Sequence, residues 1–357
     1  MSNWPTNEVC DLLGIEHPIV QAPMASAATP ALAAAVSNAG GLGSLGSATL
    51  SPEQFGEQVG AFRAESNRPF NANFFVHAEP ARDAEAEAAM RERLAPYYAE
   101  LALGEAPAAR SIFPIFGEEM LAAVTALRPP VVSFHFGLPE RGVIDALKQT
   151  GAVILGSATT VREAVALQAG GADAVIAQGH EAGGHRGTFL GDVESGSVGT
   201  FALVPQVVDA VGLPVIAAGA VADGRGIAAA FALGAGGAQI GTAFLACPET
   251  EVHPVHRELL LQARGESTQV TRTISGRPAR AIANRYVAEM SESGAEPLAF
   301  PLQYSLMGPL NAASRQRDSS DLMVMWAGQG AALSRPLPAG ELLTKLANEA
   351  QAVIAAM

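Results

Sequence analysis

The stretch "PVIAAGAVADGRGIAAAFALGAGGAQIGTAFL" (214–245) reads as strand, turn, helix, turn, strand. "PVIAAGAV" (214–221) and "GAQIGTAFL" (237–245) are short apolar runs bounded by proline and glycine, the pattern of strands buried on both faces of a parallel sheet. The Ala-rich span 223–233 between them suits a helix. The same unit recurs upstream. Further strands are expected at "HPIVQAPM" (17–24), "GGLGSLGS" (40–47), "FNANFFV" (70–76), "PVVSFHFG" (130–137), "GAVILGSAT" (151–159) and "ADAVIAQG" (172–179). Helix-like spans separate them at 30–39, 52–64, 139–150, 160–169 and 200–211, with two more near 81–100 and 118–127.

Eight strands alternating with helices is the count of an α/β protein of the (β/α)8 TIM-type barrel kind. An open doubly wound sheet satisfies the same count, because sequence does not show closure. After the eighth strand the text changes. From Glu249 to Asp321 it is polar and Pro-rich, and "LPAGELLTKLANEAQAVIAAM" (337–357) then reads as a closing helix. The division expected is a barrel of residues 1–248 plus 321–357, with 249–320 an inserted lid or substrate subdomain after strand 8.

Composition narrows the function classes. Of 357 residues 49% are hydrophobic and 16% charged, enough to bury a large core, and 37 glycines suit close packing of helices on strands. The formal charge of −13 argues against nucleic acid or an anionic membrane as partner, while a small anion remains compatible with local backbone dipoles. Two cysteines form no disulfide framework. The start "MSNWPTNEVC" has no basic and apolar leader, and no apolar run is long enough to span a bilayer, so a cytoplasmic location is expected.

In a barrel, functional residues sit at the C-terminal ends of strands. That rule selects Pro23 and Met24, Asn73, His135, the segment Gln178–His185, Gly219, and Gly241 with Thr242. The loops after the last two strands are the expected phosphate end, where Gly219 and Gly241 let backbone N–H groups approach an anion and Thr242 adds a hydroxyl. Glycines that merely let helices pack on strands give the same text at any one position, and it is their joint occurrence in both loops that favours the phosphate reading. Neither a GxGxxG after the first strand nor a Walker lysine is present.

"AQGHEAGGHRGTF" (177–189) begins like a zinc protease helix, but His180 and His185 are five apart with Gly183 and Gly184 between them, so they do not share a helix face. "HPVH" (253–256) has a proline inside it, and no metal site is expected. His17, His77 and His253 read as ordinary surface or core histidines. His185, on a Gly-rich loop at the catalytic rim, is placed to act as a general base or to orient an anion. His180 is a weaker candidate, with Glu181 as a supporting partner. His135 is expected in the barrel mouth.

Taken in order, "PIVQAPMA", "NANFFV", "AQGHEAGGHRG", "IAAGAVADGRG", "GAQIGTAFL", "SGRPARAIANR" and "WAGQGA" resemble the nitronate monooxygenases of class I, formerly called 2-nitropropane dioxygenases, from about His17 to Ala331. The resemblance implies a TIM-type barrel that binds FMN non-covalently. It implies oxidation of alkyl nitronates, propionate 3-nitronate among them, by O2 to a carbonyl compound and nitrite through a flavin semiquinone. Carried onto matching positions, it implies FMN contacts from Ala22, Pro23, Met24, Asn73, Gln178, Gly183, Gly219, Gln239, Ile240, Gly241 and Thr242, with His185 catalytic. Asn73 and Gln178 would serve the polar edge of the flavin ring. His135 and Tyr304 are expected toward the substrate, Arg277 and Arg280 either beside an anionic substrate tail or in structural ion pairs, and "WAGQG" (326–330) beside the flavin. The alternative is an NAD(P)H-dependent FMN reductase of the quinone or enoyl-acyl carrier protein type. A monomer or homodimer acting on a small molecule is expected.

Overall fold

The computed structural model describes residues 4–193 and 196–357. Its barrel strands are β1 (Ile19–Gln21), β2 (Gly43–Gly46), β3 (Phe70–Phe75), β4 (Val131–His135), β5 (Val153–Ala158), β6 (Ala174–Gln178), β8 (Val215–Ala218) and β9 (Gly237–Ile240). A two-residue strand, β7 (Gly184–His185), interrupts the series, and β10 (Thr268–Thr271) and β11 (Ala279–Ile282) follow it. The eight barrel strands are parallel, in the order β1-β9-β8-β6-β5-β4-β3-β2. The ring is closed where Gln21 N–H donates to the Leu42 carbonyl at 2.9 Å and Leu42 N–H to the Ile19 carbonyl at 3.0 Å. Closure leaves no free sheet edge and decides for the barrel over the open sheet.

Helices α1 (Glu8–Leu13), α2 (Pro30–Asn38), α3 (Pro52–Glu65), α4 (Ala84–Glu100), α5 (Glu118–Leu127), α6 (Arg141–Gln149), α7 (Val161–Gly170), α8 (Thr200–Ala210) and α9 (Gly224–Ala232) occupy the spans between strands, apart from α1. Their starts are written in side chains. Thr29, Ser51, Asp83, Thr160 and Asp223 each accept from backbone N–H groups of the helix that follows. The N-terminal α1 packs Val9, Cys10 and Leu13 against Val20, Leu42, Val131 and Ala174, and so closes the bottom of the barrel. Above this layer the interior turns polar, with Gln21, Ser44, Asn71, Asn73 and Ser133 all buried. They pair with one another: Gln21 Oε1 accepts from Ser44 N–H at 2.8 Å, and Asn73 Nδ2 donates to Ser133 Oγ at 2.9 Å.

Beyond β9 come α10 (Thr242–Leu245), α11 (Pro254–Gln262), α12 (Arg285–Glu292), α13 (Leu302–Gln316) and α14 (Ala339–Ala356). The last is the expected closing helix, packing Leu342, Leu343 and Leu346 against Leu32, Val36 and Ile227 of α2 and α9. A second core stands apart from the barrel. It joins Tyr286 and Met290 of α12 and Leu306 and Leu310 of α13 to Met90, Leu94 and Tyr98 of α4. This core is therefore not confined to 249–320, because the long β3–β4 connection contributes a helix to it. Tyr98 Oη seals the junction by donating to the Leu306 carbonyl at 2.7 Å. No helix among the described residues is long and apolar enough to cross a membrane.

Candidate active site

One cavity opens at the C-terminal ends of the barrel strands, and the residues selected from the sequence converge on it. Ala22, Pro23 and Met24 after β1, Asn73 of β3, His135 of β4, Gln178 of β6, Gly219 after β8, Gln239 of β9, and Gly241 with Thr242 all form its wall, as do Gly183, His185 and Tyr304. Ile240 does not. Its side chain packs outward with Ile19 and Phe244, and its carbonyl accepts from Ala22 N–H at 2.8 Å. The reason is strand alternation: Gln239 points in, so Ile240 points out.

His185 is held by its backbone before its ring does anything. Its carbonyl accepts from Gln178 Nε2 at 3.0 Å and from His135 Nε2 at 3.1 Å. Gln178 Oε1 in turn accepts from Gly187 N–H at 2.8 Å and from Arg186 at 3.1 Å. The amide expected to face a ligand thus also holds the loop, with one Nε2 hydrogen committed to it. On the other side β7 pairs antiparallel with β11, His185 opposite Ala279 and Gly184 opposite Arg280. The two motifs "EAGGHRG" and "SGRPAR" are therefore neighbours in one small sheet. His185 Nε2 lies 2.9 Å from Ser275 Oγ.

The ring of His185 sits among Phe75, Phe136, Phe300 and Trp326, with ring centroids 5.3–6.0 Å away. Burial in this box, assisted by His135 and the Arg277 charge, pushes its pKa down to about 3. Burial likewise brings His135 down to about 4. Both rings are neutral at physiological pH. Phe136 holds a left-handed backbone, φ 72°, unusual for a bulky residue, with the Arg277 guanidinium 3.7 Å from its ring centroid.

Two expected roles do not fit. His180 is not in the cavity wall, and its carbonyl accepts from Arg280 at 3.0 Å. Glu181 makes no hydrogen bond to either histidine among the described residues. Its carboxylate caps α8, accepting from Thr200 N–H at 2.8 Å and Thr200 Oγ at 2.9 Å. Arg277 donates to the Thr188 carbonyl and Arg280 to the Thr268 and His180 carbonyls, so both fasten loops by carbonyls rather than by ion pairs. The arginine in the wall is Arg315, on α13 with Asn311 and Tyr304. Their spacing of seven and four residues puts all three on one helix face, a signal present in the sequence. His256 and the aromatic box were not legible, since the box draws on four distant segments. No group of three or more His, Cys, Asp or Glu among the described residues is placed to hold a metal ion.

The far end of the cavity is a close-approach surface. Gly219 has φ +112°, and a Cβ there would meet Thr200 Oγ at 2.8 Å. A Cβ on Gly183 would meet Gly328 N at 2.5 Å. Thr242 Oγ accepts from Gly328 N–H at 2.9 Å, bringing the "WAGQG" segment alongside and leaving the hydroxyl hydrogen to donate elsewhere. The helix that Thr242 starts has no side-chain cap, unlike α9, whose first N–H groups are taken by Asp223. Gln239 Oε1 is buried in the wall without a hydrogen-bond partner. An uncapped, glycine-lined end and an unpaired acceptor beside it suit a ligand with an anionic terminus and an N–H-bearing edge.

Fold and cavity together define a (β/α)8-barrel enzyme with its chemistry at the C-terminal rim. The sequence profile of the nitronate monooxygenase family matches residues 6–349. Curated nitronate monooxygenases are similar along almost the whole chain. The one from Paraburkholderia phytofirmans is 46% identical, over 95% of this chain and 93% of its own, and the one from Pseudomonas aeruginosa 44%, over 96% and 99%. A solved structure of nitroalkane oxidase from Streptomyces ansochromogenes superposes with a TM-score of 0.90 at 39% identity, covering 98% of this chain and 99% of that one. The chain belongs to the nitronate monooxygenase family, and it is an oxidoreductase.

Proposed function

We propose that the protein binds FMN non-covalently in this cavity and uses O2 to oxidise alkyl nitronates, propionate 3-nitronate among them, to a carbonyl compound and nitrite. The observation that carries the reading is His185, a neutral ring in an apolar box that opens onto the same cavity as the glycine-lined, uncapped end. Gly219, Gly241 and Thr242 would hold the phosphate, and Gln239, through its unpaired Oε1, an N–H on the ring edge. Ala22, Pro23, Met24, Asn73, Gln178 and Gly183 would line the flavin. FMN, when bound, supplies the electron acceptor and the reactivity toward O2.

The chain's own residues bind and orient. The aromatic box excludes water from the end of the cavity where the nitro group would sit. His185 faces the nitro group, or takes the α-proton when the substrate arrives as a neutral nitroalkane. Gln178 and His135 fix the backbone that carries it. Tyr304 and His135 border the substrate space. The names of the relatives support nitronates and nitroalkanes as the substrate class. The reading is completed by a cytoplasmic monomer or homodimer acting on a small molecule.

The test is anaerobic. Purified yellow protein mixed with propionate 3-nitronate is expected to change its visible flavin spectrum, and to release nitrite once oxygen is admitted. No spectral change and no nitrite would refute the reading. Rapid bleaching by NADH would transfer the protein to the NAD(P)H-dependent FMN reductases.

A further inference from the structure

We propose that Ser275 is a positioning residue that fixes the tautomer of His185, holding the ring hydrogen on Nε2 and turning the Nδ1 lone pair to the cavity. The proposal rests on the assignment of His185 as the proton-handling residue.

The hydrogens available around Ser275 fix the tautomer. Ser275 is fully buried between β10 and β11. Its Oγ lies 3.0 Å from the Arg277 carbonyl, 3.3 Å from Arg277 N and 2.9 Å from His185 Nε2. A hydroxyl has one hydrogen and two lone pairs. The carbonyl can only accept, so the hydroxyl hydrogen goes to it. Arg277 N–H can only donate, so it takes one lone pair. The remaining lone pair faces His185 Nε2, which must therefore carry the hydrogen. The opposite tautomer would set two lone pairs against each other, or strip the Arg277 carbonyl of its donor.

Nδ1 is then the basic nitrogen. It makes no hydrogen bond among the described residues, it is not one of the nitrogens sealed in the packing, and the ring is part of the cavity wall. A lone pair there accepts a proton from a carbon acid. The C–H electrons remain on the nitronate, the proton sits on Nδ1, and the imidazolium keeps its Nε2–H on Ser275. Toward an anionic nitronate the same lone pair is repulsive until the ring has taken up a proton, so nitronate binding is coupled to proton uptake. The sequence places Ser275 in "SGRPAR" ninety residues from His185, and only the β7–β11 pairing brings them together.

The experiment is 15N NMR on the FMN-loaded protein labelled in its histidines, with the His185 signals assigned from a His185→Gln variant. At neutral pH Nε2 is expected to be pyrrole-type and Nδ1 pyridine-type. A protonated Nδ1, or a mixture of tautomers, in the wild type would overturn the proposal without reference to any variant. Ser275→Ala is expected to give mixed tautomers and to lose about tenfold or more in kcat on a neutral nitroalkane while keeping its FMN. Ser275→Thr, which keeps the hydroxyl, is expected to restore the single tautomer. Ser275→Ala with the wild-type tautomer and kcat would overturn the proposal. A protein showing the Nε2–H tautomer yet releasing no nitrite would refute the functional reading and leave this one standing.

Discussion

Gln178 Nε2 donates to the backbone carbonyl of His185 at 3.0 Å, tying the end of a barrel strand to the residue that faces the cavity. The same side chain accepts from Gly187 N–H and from the buried Arg186. One amide thus fixes both flanks of the loop. Gln178→Ala removes it and leaves buried donors unpaired, which costs about 1–3 kcal/mol. The expected outcome is a lower Tm together with reduced nitrite release at unchanged substrate range, read by thermal melts and by a nitrite assay. A variant with wild-type Tm and rate would show the clamp to be idle.

Gly183 and Gly184 separate two kinds of glycine requirement. A Cβ on Gly183 would lie 2.5 Å from Gly328 N and 2.6 Å from Ala327 C, backbone that cannot yield. A Cβ on Gly184 meets nothing within 4 Å, but its φ is +71°. Gly183→Ala is expected to displace the 326–330 segment and lose flavin. Gly184→Ala is expected to fold, retain flavin and pay about 1–2 kcal/mol for the left-handed backbone. Flavin-to-protein ratios after desalting, alongside denaturant melts, distinguish the two.

Thr242→Val tests the phosphate end. The variant keeps the shape but removes the acceptor for Gly328 N–H and the donor proposed for the phosphate. FMN affinity is expected to fall by about tenfold, in line with the loss of a hydrogen bond to a charged group. Titration of the stripped protein with FMN, followed by flavin fluorescence, gives the number. Equal affinity in wild type and variant would move the phosphate elsewhere.

Stability is expected to fall with acid. His135 and His256 are held down to about 4 and His185 to about 3 by burial, against 6.5 for an exposed ring. The unfolded chain therefore binds protons at these positions before the folded one does. The stability they contribute is whole above pH 6.5 and is lost progressively as pH falls toward 4 and 3. Thermal melts from pH 8 to pH 4 should show a steady Tm down to about pH 6.5 and a decline below it. A Tm indifferent to pH across that window would contradict burial of the three rings in their neutral form.

Arg277 lies 3.7 Å from the Phe136 ring centroid and donates to the Thr188 carbonyl. Lysine keeps the charge but lacks the flat face and the fork of donors. Arg277→Lys is expected to cost about 1–2 kcal/mol and to loosen Phe136, whose left-handed backbone needs packing to hold it. A raised KM with little change in Tm would instead place Arg277 at the substrate.

Much of this was legible in the chain itself. Each barrel strand is a short apolar run punctuated by Gly or Pro, and the capped helices between the strands announce themselves with Thr, Ser or Asp, because those residues satisfy local backbone geometry that neighbours in sequence already fix. The rule that barrels work at strand C-termini selects cavity residues without any knowledge of contacts, and alternation along β9 accounts for the Ile240 side chain packing away from the cavity.

The repeating strand–helix unit, the rim on which His185 lies and the glycines that let backbone come close are all written locally in the chain. It takes the folded chain for Leu42 to bond to Ile19 and Gln21 and close the ring, for α4 to cross into the second core, and for β7 to meet β11 so that Ser275 reaches His185. The division has a physical cause. Capping, turn chemistry and periodicity are local energies, whereas closure, burial and the protonation state of a ring depend on groups tens to hundreds of residues away, which meet only when the chain has folded.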